Sequence, residues 1–256
     1  MIEWNPSQYM QFGSERTRAA IDLCSRIELT QPRLIADLGC GPGNSTQILA
    51  TRWPDSQLFG IDHSIQMIDS ARKTSQKCEW ILSDLSDWEP ALEVDLVFSN
   101  AALQWLSDHD GLVNRLFGFV ALGGALAFQV PSNTFPAVRT AIYEISTKSI
   151  WSDRLQSARN AFSTQPPEFY YDTLCNKATR LDVWETEYYH VLESTGSIVE
   201  WIARTGLQPF LAGLATNAER EEFLSELHKQ TATIYPMRPD GKVLFPFRRT
   251  FVIAYR

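Results

Sequence analysis

The chain has 256 residues, of which 44% are hydrophobic, and a formal net charge of −7. This length predicts one sizeable hydrophobic core in a single domain with insertions. Lys and Arg are scattered along the sequence, which disfavours a nucleic-acid partner because phosphate contacts need a basic face.

Cysteine spacing and hydropathy exclude further classes. Cys24, Cys40, Cys78 and Cys175 lie too far apart for a metal knuckle or a C-x-x-C redox pair, so we expect no metal and a reduced, cytoplasmic setting. No signal-peptide pattern opens the sequence, and no apolar run approaches the roughly 18–20 residues that cross a bilayer. We therefore expect no membrane partner, and the choice between monomer and homodimer stays open.

The first predicted element is an N-terminal segment, residues 1–30. Its opening part is polar but carries Trp4, Tyr9 and Phe12. The run from Ser14 then leads into a helix predicted over Ala19 to Ile27. A polar arm that is rich in aromatic residues is compatible with a lid over a binding site.

The stretch around which the chain is organised follows at once. Leu34 to Leu38 is a short apolar run typical of a buried strand. Asn44 and Ser45 are predicted to cap a helix that continues to about residue 52. Strand, turn and helix make the first half of a Rossmann-like crevice. Between strand and helix lie three alternating glycines, Gly39, Gly41 and Gly43.

The spacing of these glycines indicates the ligand. A dinucleotide fingerprint, G-x-G-x-x-G, needs a third glycine where this sequence has Asn44. Asp37, two residues before the first glycine, would repel a pyrophosphate and pair with an ammonium group. A nicotinamide-dependent oxidoreductase is therefore disfavoured.

Two further acids follow predicted strands. Asp62 ends a strand over 57–61, where an acid accepts hydrogen bonds from ribose hydroxyls. Asp84 follows a strand over 78–82, where it would accept from the adenine amine. Three acids at adjacent strand ends suit an adenosine with a cationic tail and no phosphate. S-adenosylmethionine fits that description.

The remaining pattern alternates strands and helices, with strands near 94–98 and 124–130 and helices near 64–73 and 108–118. This spacing predicts a parallel sheet with helices on both faces over residues 31–130. Ser64 is a candidate N-cap for the first of these helices, and Ser107 or Asp108 for the second. At the second helix start we favour this capping role over a chemical role for His109. Met67 and Trp88 are equally explained as adenine contacts or as core.

The second half breaks this alternation. Residues 131–180 carry four prolines and helical stretches near 135–149 and 152–161, a pattern that favours a helical cap. Residues 169–174 are predicted to form a helix that leads back to the sheet. Residues 181–256 are predicted to hold a strand over 183–191, helices near 194–204 and 217–233, and a β-rich end over 242–255 after the turn at Asp240 and Gly241.

Taken together, these motifs resemble class I S-adenosylmethionine-dependent methyltransferases, first in Asp37-Leu-Gly-Cys-Gly-Pro-Gly43, Gly60-Ile-Asp62 and Asp84-Leu85. Flanking motifs over nearly the whole chain resemble the branch of that family that methylates trans-aconitate or a closely related small polycarboxylic acid. They are Trp4-Asn-Pro-Ser-Gln-Tyr9, Phe12, Glu15-Arg16, Arg52-Trp53-Pro54, Leu103-Gln-Trp-Leu106, Asp108-His109, Tyr188-Tyr-His190, Trp201, Thr205-Gly-Leu207 and Phe251-Val-Ile-Ala254.

The resemblance implies a Rossmann-like α/β fold with a mostly parallel seven-stranded sheet and a helical substrate cap. It implies S-adenosyl-L-methionine as cofactor, held by Asp37, Gly39, Cys40, Gly41, Gly43, Asp62, His63, Met67, Asp84, Leu85 and Asn100. It implies a small-molecule polycarboxylate substrate bound by Tyr9, Arg16, Gln104, Trp105, Tyr188, His190, Arg248 and Arg249.

No residue is predicted to act as a general base, because a carboxylate nucleophile is ionised well above its pKa of about 4. Catalysis then consists of alignment, to which Tyr9, Gln104 and Trp105 are expected to contribute. Two alternatives stay open. One is methylation of another small-molecule nucleophile, and the other is a catalytically silent cofactor-binding module.

Overall fold

The computed structural model describes residues 13–75, 77–132, 136–161 and 164–256. In these residues seven strands form one sheet, in the order β3-β2-β1-β4-β5-β7-β6. The strands are β1 (Leu34–Leu38), β2 (Gln57–Asp62), β3 (Cys78–Leu82), β4 (Val94–Asn100), β5 (Val120–Pro131), β6 (Arg180–Leu192) and β7 (Val243–Tyr255).

The described helices begin with α1 (Gly13–Arg26), which contacts the next helix and β5. The others are α2 (Asn44–Arg52), α3 (Ile65–Thr74), α4 (His109–Gly118), α5 (Pro136–Ser146), α6 (Gln156–Asn160), α7 (Pro167–Leu174), α8 (Thr195–Ala203), α9 (Gln208–Gly213) and α10 (Asn217–Ile234). Within this part of the chain, no helix is both long and apolar enough to cross a membrane.

Strand pairing agrees with the predicted α/β architecture. β1 pairs in parallel with β2 and β4, and β2 with β3 and β4 with β5 are parallel as well. β7 runs antiparallel to β5, with Gln129 opposite Phe251 and Pro131 opposite Arg249. Because parallel neighbours end at the same edge, the residues that follow β1, β2 and β4 lie close together.

Most predicted elements are confirmed to within a few residues, and three differ. α1 begins at Gly13, well before the predicted start at Ala19. β5 begins at Val120, before the predicted start at 124, because the strand contains an irregularity in its pairing with β4 and a left-handed Gly123 at φ 81°. The short helix α9 was not predicted, since its six residues hold too little periodicity to be recognised.

The caps follow the sequence at two helices. The Ser64 side chain accepts from the Met67 amide at the start of α3, and the Asp108 side chain accepts from the Gly111 amide at the start of α4. At α2 the prediction is wrong. Gly43 occupies the N-cap position with φ 94° and makes no side-chain cap.

The chain divides into two compact units, and β6 and β7 each contribute residues to both. Among the described residues, the first unit holds 13–75, 77–132, 164–186 and 249–256, and the second holds 136–161 and 187–248. The predicted boundaries at 1–30, 31–130, 131–180 and 181–256 stay a prediction.

The core of the first unit lies where α4 and α7 cover strands β4, β5 and β7. Phe128 and Tyr170 meet edge to face at 5.1 Å, and both side chains are fully buried. Leu116 and Val252 belong to the same cluster. Since side chains alternate along a strand, the neighbours of Phe128 in β5 point to the opposite face of the sheet.

In the second unit the core is aromatic. Trp151 and Phe223 pack at 5.4 Å, and α10 begins with a capping box in which Thr216 and Glu219 satisfy each other's backbone amides. Glu219 also pairs with Arg154 at 2.6 Å.

Candidate cofactor and substrate site

The turn after β1 is shaped for close approach. The amides of Gly39 and Cys40 donate to the Ile61 carbonyl at 2.8 and 3.0 Å, which ties the turn to the end of β2. Gly39 has φ 69°, and a Cβ there would lie 2.2 Å from the Cβ of Ala102. Gly41 has φ 54°, and no described atom lies within 4 Å of the position its Cβ would take. The turn therefore presents bare backbone to open space.

Asp37 lies beneath this turn and is fully buried. Its Oδ2 accepts from the hydroxyls of Ser45 and Thr46 at 2.7 and 2.6 Å. This contact explains the failed cap, because the Ser45 hydroxyl that was expected to cap α2 binds the carboxylate. Its Oδ1 has no hydrogen-bond partner among the described residues.

Burial raises the pKa of Asp37 to about 6, against the opposing effect of the two hydroxyls and with a further rise from the charge of Asp62. A buried carboxylate with one unpartnered oxygen favours a cationic ligand, because the cation would offset the free-energy cost of desolvating the carboxylate. Burial also raises the pKa of the neighbouring Cys40 thiol, so this residue contributes packing and backbone to the turn.

Asp62 joins the glycine turn to α3. Its Oδ2 accepts from the Gly41 amide at 3.0 Å, and its Oδ1 accepts from the Ser64 amide at 2.9 Å. Each carboxylate oxygen can accept a second hydrogen bond, so the ribose role remains chemically available. His63 is exposed, with Nδ1 at 3.7 Å from Asp62, and Met67 is buried.

Asp84 is exposed and closes a local turn. Its Oδ1 accepts from the amide and hydroxyl of Ser86 at 2.9 and 2.7 Å, and these bonds hold its pKa below the usual value. Leu85 is buried, and its carbonyl accepts from Arg115 at 2.6 Å. Trp88 belongs to the hydrophobic core, edge to face with Phe119 at 5.9 Å, which decides its role in favour of packing.

The loop after β4 carries polar groups on a strained backbone. Ala101 has φ 55°, which is uncommon for a residue with a Cβ. Gln104, in a 3₁₀ turn over Leu103–Trp105, is buried and donates its amide to the Ala101 carbonyl at 2.7 Å. Its Oε1, like Oδ1 of Asn100, has no hydrogen-bond partner among the described residues. Trp105 is partly exposed.

His109 holds this loop in place and was not predicted to matter. Its Nε2 lies 3.1 Å from the Leu103 carbonyl, and its Nδ1 lies 2.9 Å from the Tyr170 hydroxyl. Because a carbonyl only accepts, Nε2 carries the proton and Nδ1 accepts from Tyr170. Burial lowers the pKa of His109, which favours the neutral ring. Both ring nitrogens hold the loop after β4 in place through Leu103 and Tyr170.

Arg249 is one of the predicted substrate residues, and its cationic side chain is buried in the first unit. The exposed fraction of this residue is 3%, and its Nη1 donates to Oε1 of Gln129 at 2.9 Å. Asn100 pairs in register with Gln129, so their side chains share one face of the sheet. Sequence reasoning missed Gln129, although a polar residue inside the apolar run of β5 was a usable signal.

The other predicted substrate residues belong elsewhere. Tyr188 and His190 are buried in the second unit, where the His190 ring stacks on Trp201 at 4.7 Å and meets Phe247 at 5.8 Å. Arg248, also in the second unit, lies 3.5 Å from Glu187. Tyr9 and the side chain of Arg16 fall outside the described residues.

The structure therefore places in the first unit the glycine turn, two of the acids and a group of polar side chains from the end of β4, the turn that follows it, the end of β5 and the facing part of β7. This group consists of Asn100, Gln104, Gln129 and Arg249. Within the described residues, no three His, Cys, Asp or Glu side chains are arranged to hold a metal.

Comparison with known proteins defines the class. Residues 35–124 match the family model described as a methyltransferase domain. The fold is similar to that of YcgJ from Bacillus subtilis, with a TM-score of 0.61 and 12% identity over 93% of this chain and 99% of that one. It is also similar to phosphoethanolamine N-methyltransferase 2 of Haemonchus contortus bound to S-adenosylhomocysteine, with a TM-score of 0.56 and 16% identity over 93% of this chain and 52% of that one. The fold is therefore that of class I S-adenosylmethionine-dependent methyltransferases.

Sequence relatives narrow the class further. The chain is 42% identical to the trans-aconitate 2-methyltransferase of Azoarcus sp. (strain BH72), over 100% of both chains. It is also 42% identical to that of Yersinia pestis (strain Pestoides F), over 100% of this chain and 99% of that one. The protein belongs to the trans-aconitate 2-methyltransferase family and is a class I S-adenosylmethionine-dependent methyltransferase. The predicted fold, methyltransferase activity and cofactor are confirmed.

Proposed function

We propose that this enzyme transfers the methyl group of S-adenosylmethionine to a carboxylate of trans-aconitate, or of a closely related small polycarboxylic acid. The products are the monomethyl ester and S-adenosylhomocysteine. The single observation that carries the choice of an acid is the buried Arg249, held by the neutral amide of Gln129 at 2.9 Å. Because this partner is uncharged, the contact does not neutralise the guanidinium, which can hold a carboxylate through a planar fork.

The cofactor side has the opposite polarity. Oδ1 of Asp37, Oδ1 of Asn100 and Oε1 of Gln104 are buried acceptors without a hydrogen-bond partner among the described residues. Acceptors suit an ammonium group, and the bound cofactor supplies an activated methyl on a sulfonium. Gln104 uses one N–H of its amide on the Ala101 carbonyl at 2.7 Å, and its Oε1, unpartnered within the described residues, only accepts, so that oxygen suits a cation or a hydroxyl.

No general base is needed for this reaction. The acid is ionised at neutral pH, since carboxyl pKa values lie near 4. The buried His109, just after the loop that follows β4, does not serve as a base, because both of its ring nitrogens already take part in hydrogen bonds. The protein's part is to align two bound molecules for in-line displacement, an effect worth roughly 7–11 kcal/mol in favourable cases.

Tyr9, Arg16, Trp105, Tyr188, His190 and Arg248 stay predictions as substrate contacts. Asp62 and Asp84 are proposed to hold the ribose and the adenine. Asp62 keeps acceptor capacity beyond its two backbone partners, and Asp84 lies in an exposed turn.

The test is a methyl-transfer assay with labelled donor, a panel of di- and tricarboxylates, and mass spectrometry of the esters. Arg249→Met should raise the KM of the acid by about 30-fold or more, because losing one partner of a buried charge contact costs about 2–5 kcal/mol. The cofactor Kd should stay within about threefold of wild type, a change of less than about 0.7 kcal/mol.

Arg180→Met provides a matched control, since Arg180 is an exposed first-unit arginine paired with Glu28. It should leave both constants unchanged. Equal losses of acid and cofactor binding in Arg249→Met would contradict the proposed role, and an absence of ester from every acid would overturn the proposed function.

A further inference from the structure

Gln129 is a buried polar residue in a strand that is otherwise apolar around it. It lies near the end of β5, has no exposed surface, and is flanked by Phe128 and Val130, which are also fully buried. A buried amide in an apolar strand is destabilising unless its donors and acceptor are matched. Packing alone therefore gives no reason for glutamine at this position.

The chemistry of Arg249 fixes the orientation of the Gln129 amide. A guanidinium only donates, so the atom that faces Arg249 is the carbonyl oxygen Oε1, at 2.9 Å from Nη1. The amino nitrogen Nε2 is then the group left over. It is buried and has no hydrogen-bond partner among the described residues.

The neighbours of Gln129 place this donor at the reaction end of the sheet. Its register partner in β4 is Asn100, and the Gln129 carbonyl accepts from the Ala101 amide at 2.9 Å. The loop that begins there carries Gln104, whose unpartnered atom is an acceptor. Within the described residues, the unpartnered donor of Gln129 thus shares one face of the sheet with Asn100, whose unpartnered atom is an acceptor.

We propose that Gln129 is a specificity residue for the acid substrate, a role that rests on the proposed function. Its Oε1 orients the guanidinium of Arg249, and its Nε2 donates to an oxygen of the substrate carboxylate that Arg249 holds. Because the amide is uncharged, this contact places no negative charge beside the guanidinium. Glutamate, which has the same shape, would place one there and turn a second negative oxygen toward the acid.

The decisive variant is Gln129→Glu. It preserves volume and forms an ion pair with Arg249, so the melting temperature should equal or exceed that of wild type. The KM of the acid should nevertheless rise by about 30-fold or more, as expected when an anion meets a like charge in a buried site. The cofactor Kd should stay within about threefold. A residue with a merely structural role would leave KM unchanged in this variant.

Gln57→Glu is the matched control, because it makes the same charge change at an exposed position at the start of β2. It should behave as wild type. If Gln129→Glu does not fold, Gln129→Met decides in its place, since it removes both hydrogen bonds without adding charge. This variant should raise the KM of the acid while the cofactor Kd is kept.

A second readout separates specificity from disruption. Inhibition constants are compared for the acid and for its analogue in which one carboxylate is an uncharged amide. Wild type should prefer the acid, and Gln129→Glu should lose that preference or reverse it. A wild-type KM in Gln129→Glu, or an unchanged preference, would overturn the role of Gln129 alone. If the wild-type enzyme methylates no acid at all, the proposed function and this inference both fail.

Discussion

Replacing Asp37 by Asn tests whether the buried carboxylate is kept for a cationic ligand. Its pKa rises from 3.8 to about 6 in the folded protein, chiefly through desolvation. The folded state therefore binds this proton more tightly than the unfolded chain does. The associated stability is present in full below pH 4 and is lost as the pH rises through 6. A shift of about two units corresponds to about 3 kcal/mol.

The assay is chemical denaturation of the ligand-free protein between pH 4 and pH 8. The difference in unfolding free energy, wild type minus Asp37→Asn, should fall by up to about 3 kcal/mol across this range, mostly between pH 4 and 6.5. Using the difference removes the contributions of the other carboxylates, such as Glu219, whose pKa is lowered to about 2 by Arg154. Asn keeps the shape and one acceptor for Ser45 and Thr46.

Cofactor binding should show the opposite pH dependence. A bound ammonium group favours the ionised carboxylate, so wild-type affinity should rise with pH up to about 7, by as much as about 100-fold for a two-unit shift. Asp37→Asn should bind weakly at every pH, as measured by calorimetry. A flat difference in stability together with unimpaired cofactor binding in the variant would refute the reasoning.

Two further predictions concern the frame of the site. Gly39→Ala should weaken cofactor binding by tenfold or more, about 1.4 kcal/mol, because the new Cβ would lie 2.2 Å from that of Ala102. Gly118→Ala is the control and should have no effect, because its Cβ would meet open space. Calorimetry of cofactor binding by both variants checks this. His109→Phe should lower the unfolding free energy by about 1–3 kcal/mol, since it leaves the hydroxyl of Tyr170 without its acceptor. In a double-mutant cycle, Tyr170→Phe should then add little to that loss, and additive losses would show that the pair does not interact.

Local patterns predicted much of this molecule from sequence. The run Leu34–Leu38, the glycines after it and the acids at 62 and 84 are short-range features, because strand periodicity and turn geometry depend on near neighbours. The caps at Ser64 and Asp108 are local in the same sense and are confirmed. The three acids indicated S-adenosylmethionine, and the family resemblance implied the same cofactor.

What the sequence by itself determined was therefore the order of strands and helices and the place of the cofactor turn. The tertiary structure decided where polar groups find partners. Ser45 binds Asp37 rather than capping α2, Trp88 packs in the core, and Gln129 meets Arg249 across 120 residues. Such contacts depend on which distant strands become neighbours and on burial that no local window contains. A buried carboxylate or guanidinium requires hydrogen bonds strongly enough to override local preferences.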